Sequence, residues 1–389
     1  MMKKYIYKLN STKALPILFL FIIFGFSILS FLIPDKEKSV EENRVLTQVP
    51  TLSHQTYFEG RFQKKLEQYF NDQFPFRNSL IKWKTASDLT LEIIESNGVI
   101  KSKDGYLIER IQNPSKAAVD HDIKSLGKFK EKNPKCNFYF LLAPNAGNIM
   151  KSKLPKRVNM ANQNEYMTEF FKNLNEIGIT PIDARKTLRK NVDKQQLYYR
   201  TDHHWTTGAA YLAYKEAHKE MGLDSDIKYK KLSVHRNFRG TLASKSGFTN
   251  GRNDELQIYW PREHQNYHDS IYNFVDAKKT TSTFYAFDNL KKKDAYTIFG
   301  GWNHPFYTIS TPTKSARKLL LVKDSYANCM IPFLTQDFRE IVVVDPRYYF
   351  GDINKIMAEE GITDVLFLYN ALTFASDESM NLMLDDENQ

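Results

Sequence analysis

The C-terminal part of the chain alternates apolar segments with helical ones, and this alternation constrains the fold more than any other feature of the sequence. Apolar runs at 319–322, 341–344 and 365–368 predict buried strands, and the segments 327–334 and 353–360 between them predict helices. Strands separated by helices pair in parallel, because each right-handed crossover returns the chain to the same edge of the sheet. The pattern therefore predicts a β-α-β-α-β unit with parallel strands.

An earlier stretch shows the same alternation. A helical pattern at 118–129 leads into the apolar run 137–142, and a second helical pattern at 166–174 leads into the short run 180–183. Near-continuous apolar runs are typical of parallel strands that are covered on both faces. Together with the C-terminal unit, they predict an α/β fold in which a parallel sheet is flanked by helices.

The alternation breaks down between residues 232 and 299, where turn-forming residues are frequent. Inside this segment, 257–260 and 282–287 have the composition of antiparallel strands. We interpret 232–299 as an inserted β-rich lobe over the edge of the sheet. Such a lobe is expected to face the substrate, because binding residues concentrate on connecting segments.

An uncharged apolar run at 14–33 is long enough to cross a bilayer as a helix. The lysines in front of it are Lys3, Lys4, Lys8 and Lys13. By the positive-inside rule, they place residues 1–13 in the cytoplasm and the rest of the chain outside the cell. The alternative is a cleaved signal peptide, whose apolar core is shorter and ends at small residues. Because this run ends in Phe31-Leu32-Ile33-Pro34, we favour an uncleaved single-pass anchor in the cell membrane.

The residues that follow predict two further segments before the main domain. Residues 34–56 are polar and contain prolines, which is typical of a linker. From residue 57, apolar side chains recur at helical spacing with an interruption at Pro75. We assign 57–116 to a helical stalk or cap and 117–389 to the main α/β domain.

The charge and cysteine counts limit the partners of the chain. Its 55 Lys and Arg exceed its 45 Asp and Glu, which gives a net charge of +10 and favours an anionic partner. Because no basic tract with interleaved aromatics is present, we expect no nucleic acid and favour a membrane and a wall polymer as partners. The two cysteines, Cys136 and Cys329, are too few for a disulfide framework or a structural zinc site, and we predict free thiols.

One short stretch concentrates groups that move protons. Asp202, His203 and His204 are consecutive and stand just before a predicted helix that Thr206 or Thr207 can cap. Two imidazoles beside a carboxylate serve either as a general base or as metal ligands. Adjacent histidines seldom bind one ion together, and no third histidine at helical spacing supports them, so we expect no metal ion and no cofactor.

Ser325 follows the predicted strand 319–322 and therefore lies at the sheet edge where functional residues gather. A serine that opens a helix is usually only a cap, but here a base is available in the same chain. Residues two apart in an extended loop face the same side, so Asp202 can orient His204 while His203 points away. The three side chains then form a Ser-His-Asp set, in which His204 activates Ser325. The Asn370 amide, after the strand 365–368, is a candidate oxyanion donor.

The motif Asp202-His203-His204-Trp205 resembles the signature of the bacterial DHHW family. That family is similar to the SGNH-hydrolase-like polysaccharide O-acetyltransferases, including the periplasmic enzymes that acetylate alginate. Further pieces of the chain that match are Glu42-Asn43-Arg44, Gly240-Thr241-Leu242-Ala243-Ser244-Lys245-Ser246-Gly247, Gly300-Gly301-Trp302-Asn303-His304-Pro305, Lys323-Asp324-Ser325-Tyr326-Ala327-Asn328 and Asp345-Pro346-Arg347-Tyr348.

The resemblance implies an SGNH-like catalytic domain over 117–389, with Ser325 as nucleophile, His204 as base and Asp202 as the orienting acid. The chain departs from ordinary esterases at Lys323-Asp324-Ser325, where they have Gly-Asp-Ser. The residues around Asn370 also differ from the corresponding motif of those esterases. The resemblance also implies a partner that donates the acetyl group. Because acetyl-CoA does not occur outside the cell, an MBOAT-type membrane acyl transporter is the expected partner that supplies the acetyl group.

The sequence therefore predicts a membrane-anchored extracellular O-acetyltransferase that acts on a cell-wall or exopolysaccharide. Asn303, His304 and Arg347 are the candidate substrate-binding residues, although Arg347 could instead form an ion pair and the other two a glycine-rich turn. Two alternatives stay open. One is a carbohydrate acetylesterase with the same fold, and the other is a non-catalytic wall-assembly or sugar-binding protein.

Overall fold

The structure, a computed structural model, describes most of the chain and divides it into two compact units, Met1–Leu91 and Glu92–Gln389. The described ranges are 11–39, 44–58, 60–248, 252–262 and 270–385. Lys3, Lys4 and Lys8 lie outside them, and so do Glu42 and Asn43 of the Glu42-Asn43-Arg44 piece.

The first unit is mainly helical. Its elements are α1 (Ser11–Leu32), β1 (Lys38–Ser39), β2 (Arg44–Val45), α2 (His54–Phe58), α3 (Arg61–Gln73) and α4 (Arg77–Thr90). Within α1, the segment Ala14–Leu32 has a mean hydropathy of 2.6 and is long and apolar enough to cross a membrane. A signal sequence near the N-terminus has the same properties.

The predicted interruption at Pro75 is confirmed. Helix α3 ends at Gln73, α4 begins at Arg77, and Phe76 between them has a left-handed backbone with φ of 58°. Proline cannot donate the hydrogen bond that would continue a helix, so the chain turns here. No side chain of α3 is buried, and Phe70 on that helix is exposed.

The second unit contains the main sheet and two smaller ones. Its strands are β3 (Glu95–Ser96), β4 (Val99–Lys101), β5 (Leu107–Glu109), β6 (Asn137–Ala143), β7 (Thr180–Ile182), β8 (Tyr229–Phe238), β9 (Asp254–Pro261), β10 (Ile271–Phe274), β11 (Lys279–Thr281), β12 (Phe306–Ser310), β13 (Lys318–Lys323), β14 (Glu340–Val344) and β15 (Asp364–Asn370).

Helices and single 3₁₀ turns connect these strands. The α-helices are α5 (Lys116–Lys132), α6 (Ala146–Ile149), α7 (Gln163–Glu176), α8 (Arg185–Asn191), α9 (Thr207–Glu220), α10 (Thr241–Ser246), α11 (Ile331–Leu334), α12 (Ile353–Glu360), α13 (Ala371–Phe374) and α14 (Ser379–Leu384). The 3₁₀ turns are Lys103–Gly105, Lys151–Lys153, Phe287–Lys291, Ala295–Ile298 and Ser325–Cys329.

The main sheet has the order β11-β10-β12-β14-β13-β15-β6-β7. From β14 to β7 every neighbouring pair is parallel, which confirms the predicted β-α-β-α-β unit and the predicted parallel strands before it. Strands β12, β10 and β11 extend this sheet in antiparallel pairing. The fold is therefore a mixed α/β fold with a parallel centre.

Side chains of the central strands alternate between two hydrophobic cores. In β13, Leu319 and Leu321 belong to one core, whereas Leu320 and Val322 belong to the other. This alternation follows from the two-residue period of a strand. Helix α9 contributes to the first core, and α5, α7 and α12 contribute to the second, so helices cover both faces as predicted.

The segment predicted as an inserted lobe is only partly as expected. Residues 257–260 lie in β9, which pairs antiparallel with β8 as predicted. The predicted strand at 282–287 is wrong, since the structure has only an isolated bridge from Tyr285 to Phe299 and then a 3₁₀ turn. The aromatic residues Phe284 and Tyr285 suggested a strand, but they are buried as the core of an irregular loop.

The parallel strands all end at one edge of the sheet. Ser325 follows β13, Arg347 follows β14, and Asn370 ends β15 at this edge. The antiparallel strand β12 begins there, because Phe306 pairs with Val344 at the end of β14. The candidate functional residues of four neighbouring strands are thus brought to one side of the second unit.

Candidate active site

The segment that carries Asp202 and His204 is fixed at both ends. Tyr198 and Trp205 form a β-bridge across the turn, and Thr206 caps α9 by accepting a hydrogen bond from the Ala209 N–H, 3.3 Å away. The indole N–H of Trp205 donates to the carbonyl oxygen of Tyr326 over 2.9 Å. This bond joins the turn directly to the segment that carries Ser325.

Ser325 opens a 3₁₀ turn at the end of β13. The predicted helix over 327–334 is shorter and less regular than expected, because the turn Ser325–Cys329 comes first and α11 covers only Ile331–Leu334. The Asp324 carboxylate accepts the Tyr326 N–H and the Asn370 N–H, each over 2.8 Å. Asp324 therefore fixes the start of the turn and connects it to the end of β15.

The three side chains meet. The Ser325 hydroxyl oxygen lies 2.9 Å from Nε2 of His204, and Nδ1 of His204 lies 2.6 Å from Oδ1 of Asp202. The His204 backbone N–H also donates to Oδ1 of Asp202, over 3.0 Å. Asp202 and His204 are buried, and Ser325 is partly exposed. A hydroxyl, an imidazole and a carboxylate in this order can activate the hydroxyl as a nucleophile.

Asp202 is held by a residue to which the sequence assigned no role. Oδ2 of Asp202 accepts both the backbone N–H and the hydroxyl of Thr241, over 2.8 and 2.9 Å. The preceding Gly240 passes so close that a Cβ on it would lie 2.2 Å from Cβ of Asp202. The start of α10 therefore holds the Asp202 carboxylate in one position. Glycine is needed at position 240 because the backbone there lies against the Asp202 side chain.

The electrostatics keep Asp202 charged and His204 neutral. Burial would raise the pKa of Asp202, but His204, His203 and the hydrogen bonds to the carboxylate outweigh it, so the pKa lies well below its usual range. Burial lowers the pKa of His204 to about 4, the neighbouring His203 and Arg347 lower it further, and Asp202 opposes them. A neutral imidazole at physiological pH can accept a proton.

His203 does not point away, contrary to the prediction. Its ring lies beside the ring of His204, with the centroids 3.9 Å apart, and its Nδ1 is 2.7 Å from the hydroxyl of Thr241. The hydroxyl of Tyr326 donates to the carbonyl oxygen of His203. The prediction failed because it assumed an extended loop, whereas these residues form a tight bend.

An aromatic ring supports the other face of His204. Tyr296, in the 3₁₀ turn Ala295–Ile298, stacks on His204 with the centroids 3.8 Å apart and the planes at 14°. The Tyr296 hydroxyl donates to the carbonyl oxygen of Ser325 over 3.2 Å. Tyr296 thus restricts the imidazole and contacts the serine residue, and only its place in an irregular segment kept it from being found in the sequence.

Asn370, the predicted oxyanion donor, ends β15, which is the neighbour of the strand that leads into Ser325. Its side-chain oxygen caps α13 by accepting the N–H groups of Leu372 and Thr373, and it also accepts a hydrogen bond from Nδ2 of Asn145 over 3.1 Å. Its own Nδ2 is buried and has no hydrogen-bond partner among the described residues. A buried donor without a partner is costly, and the role of this amide as an oxyanion donor stays a prediction.

Arg347 forms an ion cluster with the buried residues Asp345 and Lys323. It donates through Nε and Nη2 to the two oxygens of Asp345, over 2.8 and 2.7 Å, and the buried Lys323 approaches the same carboxylate at 3.3 Å. Burial would raise the pKa of Asp345, but Arg347 and Lys323 hold it below its usual value. The structure therefore gives Arg347 an internal partner, while its role toward a substrate stays a prediction.

The other two candidate binding residues lie farther along the sheet edge. The side-chain oxygen of Asn303 lies 3.4 Å from Nδ2 of Asn328, which belongs to the turn of the nucleophile. Nδ1 of His304 is 2.7 Å from the carboxylate of Asp276, in the turn after β10. Both side chains are thus fixed by polar partners, and their contact with a substrate stays a prediction.

The geometry of Asp202, His203 and His204 also bears on metal binding. Their ligand atoms lie within 4.8 Å of one another. However, both oxygens of Asp202 accept protein hydrogen bonds, and the two ring nitrogens of His204 face Asp202 and Ser325. An ion would have to displace these bonds, so the arrangement suits proton transfer better than metal ligation.

Comparison with known proteins agrees with this fold. Residues 109–274 match the model of the SGNH hydrolase-like domain of the acetyltransferase AlgX. The matched segment contains Asp202 and His204 and ends before Ser325. No curated protein sequence matches the chain.

Solved structures with a similar fold match nearly three quarters of this chain. A DHHW family protein from Eubacterium siraeum is 24% identical, with a TM-score of 0.63, and the match covers 74% of this chain and 96% of that one. PatB1 from Bacillus cereus is 20% identical, with a TM-score of 0.59, over 72% of this chain and 98% of that one. A second structure of PatB1, with a sulfonyl adduct, matches at the same identity and TM-score. Residues 109–274 are therefore similar to the SGNH hydrolase-like domain of the acetyltransferase AlgX, and the chain shares its fold with the DHHW family protein and PatB1.

Proposed function

We propose that this protein is a membrane-anchored extracellular O-acetyltransferase, which transfers an acetyl group through Ser325 to a hydroxyl of a cell-wall polysaccharide or exopolysaccharide. The observation that carries the proposal is the 2.9 Å contact between the Ser325 hydroxyl and Nε2 of His204, with Asp202 on the other ring nitrogen. The AlgX-type domain match supports the same chemistry.

In the first step, Ser325 attacks the carbonyl carbon of an acetyl donor. Its proton passes to Nε2 of His204, and the resulting imidazolium is stabilised by Asp202. The carbonyl oxygen becomes an oxyanion, for which the Ser325 N–H and the unpartnered Nδ2 of Asn370 are the available donors. The bond to the donor then breaks, His204 returns the proton to the leaving group, and Ser325 carries an acetyl ester.

In the second step, a sugar hydroxyl takes the place of the leaving group. His204 is neutral again and accepts the proton of the hydroxyl as it attacks the acetyl ester. When the intermediate collapses, the proton returns to the oxygen of Ser325 and the acetylated sugar leaves. Asn303, His304 and Arg347 are our candidates for contacts with the polysaccharide.

The donor side of the reaction follows from the proposed location. If the helix that contains Ala14–Leu32 spans the cell membrane with its N-terminus in the cytoplasm, the catalytic unit is extracellular. Acetyl-CoA is not available there. We therefore propose that an MBOAT-type membrane protein hands the acetyl group to Ser325.

A kinetic assay with 4-nitrophenyl acetate tests transfer against hydrolysis. Release of 4-nitrophenol should be faster when an acceptor glycan is added, because a sugar hydroxyl then relieves the acetyl-enzyme faster than water does. Ser325→Ala should abolish both rates, and Ser152→Ala, at an exposed serine, should change neither. A Ser325-dependent rate that no glycan accelerates would support the acetylesterase, and no Ser325-dependent rate would support a non-catalytic protein.

A further inference from the structure

A cavity of about 410 Å³ lies beside the loop 299–305, within the range of volumes typical of small-molecule sites. We call it the aromatic pocket. The lining residues on which the argument depends are Phe284, Phe287, Trp302, His304, Lys279 and Lys292. Aromatic side chains thus form part of the wall, and cationic side chains stand beside them.

The aromatic pocket lies at the same sheet edge as the nucleophile. His304 precedes β12, and the carbonyl oxygen of the next residue, Pro305, accepts the Asp345 N–H over 3.0 Å at the end of β14. Strand β14 is the neighbour of β13, which leads into Ser325. Two strand spacings separate the start of β12 from the end of β13, which is about 10 Å along the edge. A polysaccharide chain spans this distance, whereas one sugar ring does not.

Part of the wall of the aromatic pocket forms where the backbone of Gly300 packs against the ring of Phe284. Gly300 and Gly301 both have left-handed backbones, with φ of 82° and 85°. A Cβ on Gly300 would lie 2.6 Å from Cζ of Phe284, so only glycine lets the chain lie against that ring. The loop therefore has a defined shape next to the cavity.

The polar groups of the pocket are fixed as well. His304 is held by Asp276 at 2.7 Å, and its ring packs against Phe274 with the centroids 4.5 Å apart. With Nδ1 directed at the carboxylate, Nε2 is the nitrogen left to bond a hydroxyl. The geometry is that of a prepared site, in which the polar group does not have to be ordered when a ligand binds.

The exposure of two aromatic residues indicates the kind of ligand. Trp302 is 41% exposed and Phe287 is 46% exposed, although most large aromatic residues of this unit are buried. The face of an aromatic ring is electron-rich and attracts C–H groups that carry partial positive charge. A pyranose ring presents such C–H groups on one face and hydroxyl groups around its rim. This combination fits aromatic walls beside His304, Lys279 and Lys292.

We propose that the aromatic pocket binds one pyranose ring of the acceptor polysaccharide. The hydroxyl that is acetylated belongs to another ring of the same polymer. The pocket then aligns the polymer along the sheet edge and brings a different sugar to Ser325. This proposal rests on the proposed function for the identity of the polymer as acceptor. Sugar binding in the pocket is measurable without any acetyl transfer.

The test uses the full-length Ser325→Ala protein, so that binding is separated from catalysis. Isothermal titration calorimetry measures its affinity for hexasaccharides of β-1,4-linked N-acetylglucosamine, β-1,4-linked glucose and α-1,4-linked galacturonic acid. Trp302→Ala and Phe287→Ala, each added to Ser325→Ala, should weaken binding of the preferred hexasaccharide about tenfold. Leu382→Ala, at an apolar residue that is 59% exposed on α14, is the matched control and should leave the affinity unchanged. Thermal unfolding of each variant checks that it is folded.

The outcomes separate this proposal from the proposed function. If neither aromatic variant weakens binding, or if none of the hexasaccharides binds at millimolar concentration, the sugar site is refuted. If wild-type protein forms no acetyl-enzyme but Trp302→Ala and Phe287→Ala still weaken glycan binding about tenfold, the transferase proposal fails and the sugar site stands.

Discussion

The orientation of one imidazole determines what the site can do. His204 has a carboxylate on Nδ1, a hydroxyl on Nε2 and the ring of Tyr296 stacked on its face, so each ring nitrogen has a defined partner. His203, one position earlier, has neither a carboxylate nor a serine hydroxyl within hydrogen-bonding distance of its ring among the described residues. Two adjacent residues of the same type therefore have different chemical roles because the bend gives them different neighbours.

Asp202→Asn should reduce the rate of acetyl transfer about 10⁴-fold, the loss seen when the orienting aspartate of a serine protease is changed in the same way. An amide neither stabilises the imidazolium of His204 nor enforces the correct tautomer. The rate of 4-nitrophenyl acetate turnover measures the loss, and Asp193→Asn, at an exposed carboxylate, serves as the control. A loss equal to that of the control would refute the role of Asp202.

Activity should persist to unusually low pH. His204 must be neutral to accept the proton of Ser325, and burial lowers its pKa to about 4 from the ordinary value of 6.5. The active, neutral form is therefore present above about pH 4 and is lost as the pH falls through this value. The pH dependence of kcat/KM reports the pKa of the free enzyme. An acid limb near 6.5 would contradict the assigned environment of His204.

Among the elements, α10 shows how a helix of only six residues can support the site. Its first residue, Thr241, holds one oxygen of Asp202 with two hydrogen bonds, and Gly240 allows the approach. Hydrogen bonds to a carboxylate are stronger than neutral ones, so two of them fix its position well. Helix α10 therefore influences the reactivity of Ser325 indirectly, through Asp202 and His204.

Gly240→Ala should impair activity by several orders of magnitude. The new methyl group would lie 2.2 Å from Cβ of Asp202, so either the carboxylate or the loop must move. Gly127→Ala is the matched control, because its Cβ would meet only Cγ2 of Ile177 at 3.8 Å, and alanine suits a helix interior better than glycine. Activity and thermal unfolding are measured together. A Gly240→Ala protein as active as Gly127→Ala would show that the support is not needed.

The regular elements and the catalytic set could be predicted from the sequence because they depend on local patterns. Helix α12 begins at Ile353 and ends at Glu360, where its predicted bounds lie, and Ser325 follows a strand whose apolar run is clear. Thr241 and Tyr296 could not be predicted as partners of the site. They come from a six-residue helix and a 3₁₀ turn, which are too short for a periodic pattern to indicate which side chain reaches which neighbour.

At the level of the whole molecule, the chain joins an apolar N-terminal helix to a unit whose candidate functional residues lie along one edge of its main sheet. The second unit places Ser325, Arg347, Asn370 and the aromatic pocket along that edge. Under the proposed function, an anchor would keep the enzyme at the surface where the polymer is made. The prediction of an anchor rests on the length and composition of Ala14–Leu32.

The native protein should keep its N-terminal helix. We expect the full-length mass in the membrane fraction, and digestion of residues after 33 when protease is added to intact spheroplasts. A helix without charges and without small residues at its end is a poor substrate for signal peptidase. Intact mass analysis reads the N-terminus directly. A released protein that begins after residue 33 would show instead that the helix is a cleaved signal.

The most direct test of the central claim is the site of acetylation after brief exposure to 4-nitrophenyl acetate. Intact mass should increase by a single acetyl group, and peptide mapping should place it on Ser325, because the hydroxyl next to His204 is the activated one. Ser325→Ala and His204→Ala should each abolish the adduct while the protein stays folded. An adduct that persists in Ser325→Ala, or no adduct in wild-type protein under conditions where 4-nitrophenol is released, would contradict acyl transfer through this serine.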